Sequence, residues 1–225
     1  QMVEVAKPEE ALSYSHRMDE DQVRQELAEW DGTPGIGEAD FAMHRRVREL
    51  AEAAGIEWVY MGEIGAGTGA AFYPPFLLMW MLIEPDLYRR WLEKRKAIGF
   101  CLSEQMIRAG MSVLAIGGDV SCDKGPFISP ELYREFILPA MQEHVALVHR
   151  AGALAVYTSD GNHWPIKQEF FFDSGVDGYK EVDKAAGMTM ERLIAEGIDR
   201  RLCIIGNIDA RHTLCHGTRA EVERE

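Results

Sequence analysis

Ala155–Trp164 reads AVYTSDGNHW. Three apolar residues of strand character run directly into Ser159, Asp160, Gly161 and Asn162, and then into aromatic residues. A turn accounts for the polar cluster, because Asp-Gly and Gly-Asn are ordinary turn formers. A strand whose carboxyl end opens onto a site accounts for it equally well. The neighbouring segments decide how the stretch is read.

Upstream, SVLAIGGDVS (Ser112–Ser121) is a second strand of the same style, and EWVYMGEIG (Glu57–Gly65) a third. Downstream, VDGYKEV and LCIIGNID complete five strands. Helical patterns separate them. Leu87, Trp91, Ile98, Leu102 and Met106 recur at helical spacing from Pro85 to Ala109, with Gly110 as the stop. Ser129 and Pro130 supply the N-cap and first position of a helix that runs to about Arg150, with a kink expected at Pro139. MTMERLIAEG forms a short helix ended by Gly197, and Thr218–Glu221 (TRAE) fits a capping box.

Strands alternating with helices predict parallel βα units and an α/β fold. Glu63, Asp119, Ser159–Asp160 and Asn207–Asp209 all fall at strand carboxyl ends, where α/β barrels and doubly wound sheets bind ligands. A complete eight-stranded barrel takes about 250 residues. Here the segment up to residue 56 is mainly helical, as in DEDQVRQELAEW and DFAMHRRVRELAEAAG. The reading is therefore a TIM (β/α)8-type barrel incomplete at both ends, with a helical segment at 1–56 and the barrel domain at 57–225.

The chain has 225 residues, 47% hydrophobic and 27% charged, the composition of an ordinary globular protein. A net charge of -13 without a basic stripe argues against nucleic acid and anionic membrane surfaces as partners. Cys101, Cys122, Cys203 and Cys215 are widely spaced, which predicts free thiols and a cytoplasmic setting. The opening QMVEVAKPEE is charged and lacks the apolar core of a secretory signal. The most apolar run, AFYPPFLLMWMLI (Ala71–Ile83), carries two prolines and falls short of the ~20 residues a membrane helix needs, so it reads as a buried loop entering a helix.

Taken together, AGMSVLAIGGDVSCDKGPFISPELYREFILPAMQEHVALVHRAGALAVYTSDGN (Ala109–Asn162), GVDGYKEVDKAAGM (Gly175–Met188) and LCIIGNIDARHTLCHGTRAEVERE (Leu202–Glu225) resemble the uroporphyrinogen decarboxylase superfamily. The resemblance runs from about Trp58 to the C-terminus. It implies a TIM barrel and one of two chemistries. One is methyl transfer involving a corrinoid protein or a small thiol. The other is cofactor-free decarboxylation of the acetate arms of a tetrapyrrole. The Arg-rich segment that binds propionates in true decarboxylases is not found. The His-x-Cys zinc motif of the methyltransferase branch is also missing: Tyr157, Thr158 and Ser159 occupy that strand end. Those ligands do not carry over. Zinc, if used, would have to take oxygen ligands such as Glu63, Asp119 or Asp160. The lead reading is a methyltransferase-like member acting with a corrinoid protein or a small methyl donor or acceptor. The alternatives are a uroporphyrinogen decarboxylase and a non-catalytic binder of a tetrapyrrole or corrinoid protein, and a homodimer is compatible with each.

Asp119 and Asp160 are the catalytic candidates. Asp119 follows two glycines, which would admit a ligand close to the backbone, although a loop-capping carboxylate fits the same pattern. Asp160 either joins the site or shapes an Asx turn. Glu63, Tyr157, Ser159, Tyr179, Asn207 and Asp209 are the substrate-binding candidates, with Tyr157 expected to fill the barrel interior. Gly65, Gly67 and Gly69 lack the spacing of a nucleotide fingerprint and read as a tight turn. His212, Cys215 and His216 read as a surface helix rather than a metal site, because no second cluster completes a tetrahedral set.

Overall fold

The structure, a computed structural model, describes residues 19–64 and 75–224; Gly65, Gly67, Gly69 and the first part of the Ala71–Ile83 run lie outside them. Two helices come first, α1 (Glu20–Glu29), capped by Asp19, and α2 (Ala42–Ala53). Strand β1 (Met61–Glu63) follows, then α3 (Phe76–Ile83) and the long α4 (Pro85–Arg108). Helix α1 buries Val23 and Leu27 in the core, and polar contacts flank them: Arg24 binds Glu84, and the Trp80 indole donates to Glu20 at 2.9 Å.

Strands β2 (Val113–Gly117), β5 (Leu154–Thr158), β6 (Gly178–Lys180) and β7 (Cys203–Ile205) join β1 in one five-stranded sheet of order β1-β2-β5-β6-β7. Every pairing within it is parallel. Each new strand adds on the same side, with no reversal of direction along the sheet. A doubly wound sheet reverses at its switch point, so this order is that of an arc of a barrel. The second strand is shorter than the sequence suggests. It ends at Gly117, and Ser121–Cys122 (β3) turns back as a hairpin against Gly125–Pro126 (β4).

The kink expected at Pro139 takes a specific form. Ser129 caps the helix start by accepting the Leu132 N–H at 3.3 Å, and the chain winds through Pro130–Leu132 (α5) into a π-helical segment, Tyr133–Ile137. There the Leu138 N–H reaches back to the Tyr133 carbonyl before α6 (Leu138–Arg150) resumes. Pro139 has no N–H to offer the preceding turn, and the wider π turn absorbs that missing donor. Farther on, Thr189 caps α7 (Met190–Ala195), and the Thr218–Glu221 capping box opens α8 (Arg219–Val222).

Register divides the sheet into two faces. Leu114, Ile116, Ala155, Tyr157 and Tyr179 point one way and merge with Tyr133, Ile137, Met141, Phe170 and Phe171 into the main hydrophobic core. Val113, Ala115, Val156, Gly178 and Lys180 lie on the other face, which is the barrel side. Two histidines are buried, His144 between α4 and α6 and His163 where the loops after β2 and β5 meet. His144 pairs with Ser103 at 2.6 Å, and His163 with Ser121 at 2.9 Å.

Burial pushes His144 and His163 down to about 4. Their folded values lie below the ordinary 6.5, so the unfolded chain binds more protons between pH 6.5 and 4. This contribution to stability is full above pH 6.5 and is lost as pH falls towards 4, at about 3 kcal/mol for each histidine. Urea unfolding should show the midpoint falling across that window, with a smaller fall in His163→Phe. A histidine contribution absent from the profile, with wild type and variant falling in parallel, would mean the imidazoles are not held neutral by burial.

Candidate functional site

Parallel pairing carries the strand exits to one rim. Gly117, Thr158, Lys180 and Ile205 stand abreast across β2, β5, β6 and β7. A cavity of about 660 Å³ opens beyond β6 and β7, lined by Asp119, Asp160, Lys180, Glu181, Asp183, Asp209 and Arg211. A hollow of similar size, about 630 Å³, lies between α2 and the end of α4, where Arg45, Arg48 and Arg108 mix with Glu38, Glu49 and Glu52. Ala109, in its wall, precedes the start of β2, so this hollow sits at the amino ends of the strands. In barrels that end serves stability, and chemistry lies at the other.

The rim cavity has five carboxylates and two cations in its wall. Both cations are engaged. Lys180 reaches Glu63 at 2.9 Å and Glu181 at 3.5 Å, and Arg211 holds Asp123 at 2.6 Å and Asp183 at 3.3 Å. Burial alone would lower Lys180, but its hydrogen bond to Glu63 and the charge of Glu181 raise it above the ordinary lysine value. Asp209 accepts the His212 N–H at 2.9 Å as a cap, which lowers its carboxyl.

Asp119 and Asp160 stand side by side. The Asp160 N–H donates to Asp119 Oδ1 at 3.4 Å. Burial raises the Asp160 carboxyl, and the neighbouring charges of Asp119 and Asp183 raise it further. Glu181 is raised by burial too, with Asp119 contributing. Glu181 also has φ +70, the one non-glycine residue among those described with a positive φ. Left-handed backbone costs a residue with a Cβ roughly 1 kcal/mol or more, and such strain concentrates at functional sites.

The remaining candidates fall elsewhere. Tyr157 does not fill the barrel interior. It faces the helices, stacks on Phe170 with centroids 4.1 Å apart, and shares a hydrogen bond with the Tyr133 hydroxyl at 3.1 Å. Both faces of β5 carry apolar residues, so composition could not reveal which parity points inward. Tyr179 is boxed by His163, Phe170 and Phe171, and its buried hydroxyl has no hydrogen-bond partner among the described residues. Burial raises it, with the charges of Asp183 and Asp160 adding to the effect. Ser159 is fully buried and accepts the Val120 N–H at 3.2 Å. Asn207 donates to the Met188 carbonyl at 3.4 Å. Glu63 meets the cavity through Lys180. The space beside Gly117 is not free for a ligand, since a Cβ there would lie 2.5 Å from the Tyr157 ring.

Lys180, Glu181, Asp183 and Arg211 were not among the sequence candidates. Lys180 and Glu181 lie in VDGYKEV, where composition alone does not tell which side chains reach the rim, and Asp183 and Arg211 lie in the connections after strands. The donor set does not suit zinc. The strand end offers Tyr157, Thr158 and Ser159 in place of imidazole and thiolate, and Glu63 is taken by Lys180. Among the described residues no three metal-binding side chains converge.

A family model described as uroporphyrinogen decarboxylase (URO-D) matches residues 60–225. The chain belongs to the uroporphyrinogen decarboxylase family. No curated protein matches it. Among solved structures, a methyltransferase from Methanosarcina mazei aligns with a TM-score of 0.64 at 21% identity, covering 79% of this chain and 51% of that one. The likeness supports the barrel fold, and this URO-D family chain spans about half the length of that structure. Among its described residues no helix is long and apolar enough to cross a membrane.

Replacing Glu181 by glycine removes the Cβ that strains this turn and one carboxylate from a crowded rim. Glu181→Gly should therefore stabilise the fold by about 1 kcal/mol in urea unfolding. A loss of stability would show that the Glu181 contact with Lys180 outweighs its strain.

Proposed function

We propose that this chain carries the active-site rim of a methyl-transferring member of the uroporphyrinogen decarboxylase family, with a small substrate seated between Asp119–Asp160 and Lys180–Glu181. The observation that carries the reading is the charge of the cavity: five carboxylates against two cations, each cation already paired. Uroporphyrinogen bears an acetate and a propionate on every ring. Such a polyanion would meet like charge here, and among the described residues no free arginine in the wall offsets it. A neutral or cationic methyl carrier suits the wall better.

In methyl transfer the acceptor X–H attacks the methyl carbon, the C–X bond forms, and the bond to the leaving group breaks. Asp119 has one oxygen on the Asp160 amide and its other oxygen available to take the proton of X–H, which then passes to solvent. Asp160, whose environment favours the protonated acid, orients X by hydrogen bonding. A corrinoid protein docking over the rim is the partner this reading names; if it carries the methyl, its cobalt would keep the bonding electron pair and take no proton.

Methylcobalamin, offered with a small thiol and followed by the absorbance change on demethylation, tests the reading. The wild type should accelerate the transfer. Asp119→Asn should lower the rate by roughly a hundredfold, with Asp160→Asn milder and both melting like the wild type. Formation of coproporphyrinogen from uroporphyrinogen would overturn it in favour of decarboxylation. Tight corrinoid-protein binding without turnover would overturn it in favour of a binder.

A further inference from the structure

Asp119 and Asp160 sit on two different loops, and neither loop is held by regular secondary structure at that point. The loops are laced together instead. The Val120 N–H donates to Ser159 Oγ at 3.2 Å, the Asp160 N–H to Asp119 Oδ1 at 3.4 Å, and the Asn162 N–H to the Cys122 carbonyl at 2.9 Å. Gly161, at φ +89, lets the second loop press on the first; a Cβ there would lie 2.8 Å from the Ser121 carbonyl carbon.

His163 bridges the same two loops from below. Its Nε2 lies 3.3 Å from the Ser159 carbonyl and its Nδ1 2.9 Å from Ser121 Oγ. A carbonyl only accepts, so Nε2 carries the proton, and Nδ1 accepts from the Ser121 hydroxyl. The imidazole lies flat on Phe170, centroids 4.1 Å apart and planes within 10°, and Phe170 in turn stacks on Tyr157. The ring therefore has one tautomer and one orientation, set by packing on one side and by both loops on the other.

We infer that His163 is a positioning residue: through Ser121 and Ser159 it clamps the β2 and β5 exits and holds the Asp119 and Asp160 carboxylates at their working separation. The inference rests on reading the rim as the active site. His163 touches neither carboxylate and lies outside the cavity wall, so it acts through the loops alone.

His163→Phe in the full chain tests this, because phenylalanine keeps the stack on Phe170 and deletes both hydrogen bonds. Hydrogen exchange at the Val120, Asp160 and Asn162 amides should quicken roughly tenfold, while the β2 and β5 ladder amides keep their protection. The Asp160 carboxyl, followed by carbon NMR, should titrate closer to an ordinary aspartate as Asp119 moves away. The other groups acting on it, Asp183, Asp123 and Arg211, stay in place. Ser121→Ala, which removes only the Nδ1 partner, carries the same test should the larger change unfold the chain; the same amides should then quicken by a smaller factor. Unchanged exchange at the three amides and unchanged Asp160 titration overturn the inference, as does a uniform loss of protection across the sheet. None of these readouts needs a substrate. Failure of the clamp is thus separable from failure of the methyl-transfer reading, which rests on the Asp119→Asn rate.

Discussion

The parallel pairing of β2 with β5 is the constraint on which the site depends. Its register sets Gly117 beside Thr158, and the residues that follow, Asp119 and Asp160, leave the sheet at the same level. A one-residue slip of β5 would send Ala155 and Tyr157 to the barrel side and strip the helices of that contact surface. The hydrophobic core therefore fixes the register, and the register in turn fixes the distance between the two aspartates. Burial and the geometry of the candidate site are consequences of one pairing.

The two faces of the sheet divide the work. The helix face carries the aromatic slab of Tyr133, Tyr157, Phe170, Phe171 and Tyr179, all buried. Against that support the rim can carry features that oppose folding: a strained Glu181, a desolvated Asp160 and several carboxylates in one wall. Proteins tolerate such local costs where surrounding packing over-determines the backbone. The ion pair of Lys180 with Glu63 has a different part in this balance. It ties β6 to β1 across the concave side of the sheet, between strands that are not neighbours in the ladder.

Much of this was legible in the sequence because it depends on local signals. Helix caps at Ser129 and Thr218 and the stop near Gly110 follow from short-range chemistry, and the alternation of strand and helix predicts parallel pairing. Asp119 and Asp160 were legible as polar residues ending apolar strands. What escaped depends on parity and on tertiary pairing. Tyr157 faces the helices because of a register that two apolar strand faces cannot reveal. Lys180 belongs to the site because it points inward one residue after Tyr179 points outward. Arg211 enters through ion pairs with Asp123 and Asp183, residues far away in the chain. The π-helical segments at Tyr133–Ile137, Gln168–Asp173 and Ala210–Leu214 have no local sequence signature apart from Pro139 after the first.

A buried histidine makes the fold sensitive to acid, and an aliphatic residue would fill the same space without that sensitivity. Its presence at position 163 makes physical sense when the hydrogen bonds are counted by destination. A leucine there would leave the Ser121 hydroxyl buried without its partner and the Ser159 carbonyl without its donor, both at the junction of the loops that bear the aspartates. The imidazole is also flat enough to continue the stack of Phe170 on Tyr157, which no amide side chain would do. Two demands meet in one ring: an aromatic face for the core and a donor–acceptor edge for the loops. Neutral histidine meets both, so the core that sets the sheet register also aligns the loops above it.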